Sequence, residues 1–194
     1  MMKTINFLIT GVGGQGTLLV SNVLSEVGAR LGYDVKKTEV HGMAQRGGSV
    51  TSHVRWGDQV KSPVIGQGEV DVMLALEKLE GLRYLSMLRP GARVLVGDFD
   101  IAPITVSSGT DCYPSDEEIH QAISQITTDV HFAPTMSLAE ELGTSRVHNI
   151  ILLGALSIYM KDVPEDVWLD VIVERVPAKH RELNRRAFEA GRRT

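Results

Sequence analysis

The sequence predicts an α/β protein: a Rossmann-like, mostly parallel sheet flanked by helices, followed by a helical C-terminal third. Three observations carry this expectation. A short apolar run ends in a glycine-rich turn and passes directly into a segment with helical periodicity; strand-like and helix-like segments then alternate to about residue 100; and beyond Pro134 the chain reads as helical throughout.

Ile5 to Thr10 is the first strand candidate, stopped at Gly11. Leu18, Leu19, Val23, Leu24 and Val27 then fall at helical spacing, which predicts a helix from about Thr17 to Leu31. Asp34 to Val40 reads as a second strand. In Ser49 to Trp56, Val50, Ser52, Val54 and Trp56 alternate with Thr51, His53 and Arg55, as on a sheet with one partly polar face. Val70 to Leu76 is a buried strand candidate, Glu77 to Leu88 a helix stopped by Pro90-Gly91, and Arg93 to Val96 another strand. Ile104 to Val106 is expected as a strand, Ser115 as the cap of a helix reaching Ile126, and Asp129 to Phe132 as a short strand. Helical periodicity follows in Pro134 to Leu142, Arg146 to Met160, Glu165 to Arg175 and Pro177 to Ala190. No repeat or long linker divides the chain, so residues 1–194 are expected to form one domain.

Composition narrows the function classes. The 194 residues are 43% hydrophobic and 23% charged, enough for one substantial core, and the net charge of −4 argues against a nucleic-acid partner. No apolar run reaches the roughly 20 residues that span a bilayer, and the N-terminus lacks a signal-peptide pattern, so a cytoplasmic protein without membrane contact is expected. A single Cys112 cannot hold an iron-sulfur cluster, which takes about four thiolates, and no zinc-type Cys/His spacing is present. No metal site is expected.

Two glycine loops are the candidate site. Gly11-Val12-Gly13-Gly14-Gln15-Gly16 has the spacing G-x-G-x-x-G between strand and helix, where backbone amides and the helix dipole can receive a phosphate. Glu39, about 20 residues further on, suits the ribose contact of a nicotinamide-binding protein. A glycine turn that only packs the helix closely on the sheet accounts for the same motif. Arg46-Gly47-Gly48-Ser49, between the second and third strands, adds paired glycines and a forked donor for phosphate or carboxylate. Both loops are expected at one sheet edge. His41 stands between them as a candidate acid/base or orienting group, and Gln45 as a donor or acceptor at a substrate carbonyl; a plain polar strand-end role fits His41 as well, and loop-stabilising bonds to the backbone fit Gln45 better. His53 is expected to fill a partly exposed sheet face. Ser107, Ser108 and Asp111 lack a nucleophile-elbow motif, and Cys112 has an acidic neighbour that does not favour a thiolate.

Taken together, the first glycine loop, the segment His41-Gly42-Met43-Ala44-Gln45-Arg46-Gly47-Gly48-Ser49 and the downstream Glu77 resemble the gamma domain of pyruvate and other 2-oxoacid ferredoxin oxidoreductases, over nearly the whole chain. The His-Gly-Met-Ala-Gln-Arg-Gly-Gly form is most similar to the indolepyruvate branch. The resemblance implies the small subunit of a complex that oxidatively decarboxylates a 2-oxoacid, indolepyruvate or another aryl pyruvate, to acyl-CoA and CO2, with electrons passing to ferredoxin. Thiamine diphosphate and the iron-sulfur clusters would belong to a large partner subunit, with coenzyme A as co-substrate and no cofactor held by this chain alone. In agreement, Gly97-Asp98 continues with Phe99, and the next Asn is Asn149, so the thiamine-type motif is absent. By this implication Arg46, His41 and Gln45 are the reactive-site candidates. Gly11, Gly13, Gly14, Gln15, Gly16, Gly47, Gly48 and Ser49 are the candidates for seating a cofactor phosphate or the partner's backbone. Leu152, Leu153, Leu156, Ile158 and Tyr159 are expected in a core or an interface, and the isolated chain could pair with itself. Two readings of other classes stay open: a stand-alone NAD-dependent oxidoreductase and a nucleotide-binding regulatory module.

Overall fold

A computed structural model describes residues 4–41 and 48–194. The strands are β1 (Ile5–Val12), β2 (Asp34–His41), β3 (Ser49–Gly57), β4 (Val70–Ala75), β5 (Leu88–Gly97) and β6 (Val130–Ala133). They form one sheet in the order β2-β3-β1-β4-β5-β6. β1 pairs in parallel with β4, β4 with β5 and β5 with β6, whereas β3 runs antiparallel to both of its neighbours. The sheet is therefore mostly parallel, with β3 as the reversed strand.

The helices are α1 (Thr17–Arg30), α2 (Lys78–Arg83), α3 (Ile104–Ser107), α4 (Asp116–Ser124), α5 (Thr135–Glu141), α6 (His148–Tyr159), α7 (Glu165–Arg175) and α8 (Arg181–Gly191). Strand alternation decides which of them covers which face. Phe7 and Ile9 of β1, Val72 and Leu74 of β4 and Leu95 of β5 share a core with α1, α6, α7 and α8. Leu8, Met73, Ala75, Val94 and Val96 point the other way, against Ile119 and Ile123 of α4 and Leu82 of α2.

The long apolar helix α6 forms the centre of the larger core. Leu152, Leu153 and Leu156 are essentially fully buried, so they belong to the core; Ile158 and Tyr159 are half-buried at its margin. Burial of each such side chain is worth roughly 1.5–3 kcal/mol. Helices α6 and α8 meet backbone to backbone: a Cβ on Gly154 would lie 2.1 Å from the Phe188 carbonyl oxygen, and one on Gly191 would lie 1.9 Å from that of Ile151. Only glycine fits at this crossing.

Three local expectations need correction. Ile104 to Val106 is not a strand but the start of α3, closed by Ser107 N–H and Ser108 N–H donating to Pro103 and Ile104 carbonyls. The helix after Glu77 ends at Arg83, because β5 already begins at Leu88 and runs through Pro90-Gly91, where its register against β4 shifts. His53 is 7% exposed rather than on an open face: its Nδ1 accepts from Ile65 N–H, and Arg55 holds the same covering segment through the Ser62 and Val64 carbonyls. Among the described residues no helix is long and apolar enough to cross a membrane.

Candidate functional site

The first glycine loop leaves β1 at the carboxyl edge of the sheet. Gly14 and Gly16 have φ values of 107° and 86°, which L side chains rarely adopt. Gln15 folds back over the loop: its Oε1 accepts from Val12 N–H at 2.6 Å, and its Nε2 donates to the Leu76 carbonyl at 3.3 Å. Gln15 therefore ties the ends of β1 and β4 together. The amides of Gly14, Gly16 and Thr17 meet no acceptor among the described residues, and the first turn of α1 carries no acidic side chain.

The two glycine loops do converge. Gly13 N–H donates to the Gly48 carbonyl at 2.8 Å. Ser49, however, has its hydroxyl engaged within the protein. It donates to Glu80 and lies 2.9 Å from the Tyr84 hydroxyl, so it is a fastening point for the second loop rather than an open ligand group. Glu80 is buried, and burial raises its pKa against the opposing pull of Ser49 and Arg83. One turn earlier Glu77, also buried, caps α2 through Leu79 N–H and Glu80 N–H and accepts from the Tyr113 hydroxyl at 2.9 Å. Burial and the neighbouring Glu77 carboxylate push the Tyr113 phenol up. Lys78 is fixed by Asp116, Asp98 and Asp100 at 2.7, 3.2 and 3.2 Å. Burial opposes its charge, but the three carboxylates outweigh it and raise its pKa.

Gln45, Arg46 and Gly47 lie outside the described residues. His41 is described only as the last residue of β2, its backbone opposite Val50. Glu39 is not beside β1: β3 stands between, and Glu39 pairs with Lys37 at 3.0 Å. A ribose-binding acid of the nicotinamide type belongs on the strand next to β1, so the fold does not support that reading.

The structure adds residues that the motifs did not point to. A cleft of about 370 Å³ opens beside Gly14, Gln15 and Gly16, and its opposite wall includes Arg146, in the single 3-10 turn just before α6, and His148 and Asn149 at the start of α6. Asn149 Nδ2 reaches the Gly16 carbonyl at 3.5 Å, and a Cβ on Gly16 would lie 2.3 Å from that nitrogen. Arg146 is exposed, and its guanidinium has no acidic partner among the described residues. His148 is 6% exposed, with its ring edge-on to Phe99, and burial drives its pKa down to about 4. It is uncharged at neutral pH. Among the described residues no carboxylate lines the cleft, which combines amides without an acceptor at the N-terminus of a 14-residue helix with an arginine that has no acidic partner. That donor set suits an anion, and it lies at the β1/β4 boundary, where the strand connections diverge to the two sides of the sheet.

A family model described as pyruvate ferredoxin/flavodoxin oxidoreductase matches residues 6–194. The chain belongs to this family. It is 39% identical to the indolepyruvate oxidoreductase subunit IorB of Thermococcus kodakarensis, over 98% of this chain and 95% of that one. The gamma subunit of a keto/oxoacid ferredoxin oxidoreductase from Geobacter sulfurreducens shares the fold, with a TM-score of 0.68 at 24% identity over 96% of this chain and 95% of that one. So does a 2-oxoglutarate:ferredoxin oxidoreductase from Magnetococcus marinus that has 2-oxoglutarate, coenzyme A and succinyl-CoA bound. Its TM-score is 0.73 at 21% identity, and the match covers 100% of this chain but 31% of the larger one. The chain is thus a small subunit of a 2-oxoacid:ferredoxin oxidoreductase.

Proposed function

We propose that the complex containing this subunit converts indolepyruvate or another aryl pyruvate to acyl-CoA and CO2, and that this chain completes the active-site cleft and seats coenzyme A by its phosphates. The observation that carries the proposal is the cleft lined by Gly14, Gly16 and Arg146, with no carboxylate among its described lining residues. Coenzyme A is the reactant richest in phosphate, and the guanidinium fork matches phosphate oxygens in charge and shape. The substrate class rests on the likeness to the indolepyruvate subunit.

Thiamine diphosphate and iron-sulfur clusters, held by a large partner subunit, would supply the carbon chemistry and the electron path. This chain's own contribution is to bind and orient. Gln15 fixes the loop, Arg146 and the loop amides hold the anion, and the uncharged His148 ring closes the wall with Phe99. Of the four exposed large apolar side chains among the described residues, Leu18, Val40 and Ile104 lie at the carboxyl edge and Val64 in the β3–β4 connection, which favours the carboxyl edge as the face turned to the partner.

The test is co-expression with a large thiamine- and cluster-binding subunit, followed by a coenzyme A-dependent assay with indolepyruvate and a viologen dye. Arg146→Ala is expected to raise KM for coenzyme A at least tenfold while leaving KM for indolepyruvate unchanged. An unchanged coenzyme A KM refutes the seating role. Tight NAD binding and reduction by the lone chain would restore the dinucleotide reading.

A further inference from the structure

The β1–β3 ladder ends at the pair Val12 and Ser49, and the next bond along, from Gly13 N–H to the Gly48 carbonyl at 2.8 Å, joins the two glycine loops. Ser49 fixes this junction from the α2 side, because its hydroxyl donates to Glu80 and lies 2.9 Å from the Tyr84 hydroxyl. Glu80, Arg83 and Tyr84 stand at i, i+3 and i+4, so one face of α2 and its C-cap meets the start of β3. Glu80 is 3% exposed, and a second buried carboxylate, Glu77, stands one turn before it. Glu77 is compensated by its cap bonds to Leu79 N–H and Glu80 N–H and by the Tyr113 hydroxyl. Glu80 has the neutral Ser49 hydroxyl and the Arg83 Nε, 3.0 Å away on a half-exposed side chain. Two buried carboxylates a turn apart cost stability, and an apolar side chain of similar size would suit this inner face of α2 at least as well. The stability of α2 therefore does not account for a carboxylate at position 80, whereas its hold on Ser49 does.

We propose that Glu80 is a positioning residue for the reaction of the complex: by holding Ser49 it keeps Gly48 on Gly13, and so keeps the first glycine loop in the shape that receives the anion. The proposal rests on the anion reading of the cleft and adds a residue that maintains it. The path is short. It runs from the Glu80 carboxylate to the Ser49 hydroxyl, across one peptide bond to the Gly48 carbonyl, and from there to Gly13 N–H. The loop is then pinned at Gly13 by Gly48, at Gln15 by Val12 N–H and the Leu76 carbonyl, and at Gly16 by Asn149. Neither Ser49 nor Glu80 lines the cleft beside Gly14 and Gly16, so their effect on its ligand passes through the loop.

The test uses the assembled complex and three readouts: melting temperature, hydrogen–deuterium exchange of the peptide covering Val12 to Gly16, and KM for coenzyme A against KM for indolepyruvate. Glu80→Leu is expected to leave the melting temperature unchanged or higher. It should speed exchange in the loop peptide about tenfold and raise the coenzyme A KM about fivefold, with kcat and the indolepyruvate KM unchanged. Glu80→Gln, which keeps an acceptor for the Ser49 hydroxyl, recovers most of both losses. Ser49→Ala reproduces them and decides the matter if the leucine variant does not fold. The double variant Glu80→Leu/Ser49→Ala is no worse than Ser49→Ala alone, because the two residues act through one bond. Additive losses, an unchanged loop peptide, or a fall in melting temperature with exchange speeded throughout the chain would each overturn the positioning role. If Arg146→Ala raises the coenzyme A KM and Glu80→Leu does not, the positioning role is wrong and the anion reading survives. If neither variant moves it, the anion reading fails and the positioning role fails with it.

Discussion

Acidification should expose the burial of His148 directly. Its ring is taken out of water with its Nδ1 unpartnered, and its pKa falls from an ordinary 6.5 to about 4 in the folded chain. The unfolded chain therefore takes up this proton below pH 6.5, while the folded chain resists until about pH 4. Stability from keeping the ring neutral is fully present above pH 6.5 and is lost between those values. At about 1.4 kcal/mol per pH unit, the whole loss is about 3 kcal/mol, of which about 2.5 kcal/mol has gone by pH 4.5. Glu80 acts with the opposite sign: its raised pKa gives a contribution that is present below the ordinary carboxylate value and lost as pH rises through the folded one. His53 and His131, both lowered by burial, act with the same sign as His148. Comparing the parent with His148→Gln at each pH removes all three contributions. Urea unfolding at pH 7.5, 6, 5 and 4.5 should show the parent losing about 2.5 kcal/mol more than the variant. Parallel curves would refute the assignment of a buried, neutral His148.

Other perturbations follow from the same contacts. Gly16→Ala places a methyl group 2.3 Å from Asn149 Nδ2 at a φ of 86°, so it should destabilise by about 2 kcal/mol and raise KM for coenzyme A; an unchanged melting temperature would contradict the close approach of the loop to α6. Gly154→Ala, with its Cβ 2.1 Å from the Phe188 carbonyl oxygen, should cost about 3 kcal/mol in thermal denaturation without selectively affecting coenzyme A. Gln15→Ala removes the bonds to Val12 N–H and the Leu76 carbonyl; a loss of about 1 kcal/mol together with weaker coenzyme A use is expected from kinetics and melting of the same sample. Lys78→Met leaves Asp98, Asp100 and Asp116 without their shared cation, so the melting temperature should fall at pH 7, and the difference from the parent should shrink in acid as the carboxylates protonate.

The elements legible in the sequence were those whose signal is local. The Ile5 to Thr10 run, the helical spacing from Thr17 and the Ser115 cap all have short-range causes, and Ser115 indeed forms a full capping box with Glu118. Ile104 to Val106 was not legible, because three apolar residues in a row fit a strand or a helix equally well. Strand order was hidden for another reason: pairing is non-local, and nothing in Ser49 to Trp56 says that this strand inserts between β1 and β2. The same limit applies to the site. Gly11 to Gly16 announced itself by spacing, whereas Arg146, His148 and Asn149 come from the turn before α6 and its first residues, with Asn149 133 residues from Gly16. A weak hint was present in Arg146-Val147-His148-Asn149, a basic and polar start to a strongly apolar helix whose first turn carries no acid.

The inserted strand also sets the surroundings of the dinucleotide-like motif apart from those of a nicotinamide-binding fold. In a nicotinamide-binding sheet, the strand beside β1 is parallel to it and its carboxyl end contacts the adenosine ribose. Here the neighbour is β3, entering the edge from the opposite direction, and its first residues bring Gly48 onto Gly13. That backbone bond closes the β2 side of the glycine loop, and the Ser49–Glu80–Tyr84 contacts hold the closure from below. Two sides remain open among the described residues: one toward α2, lined by Val12, Glu77 and Glu80, and one toward α6, where Arg146 sets a cation instead of an acid. The carboxylates Glu77 and Glu80 line the α2 side, so a phosphate proposed at Gly14 and Gly16 would extend toward the helical third. On the proposed reading, the same glycine spacing would turn its ligand toward α6, because β3, by pairing with β1, occupies the place where the ribose-binding strand stands in a nicotinamide-binding sheet.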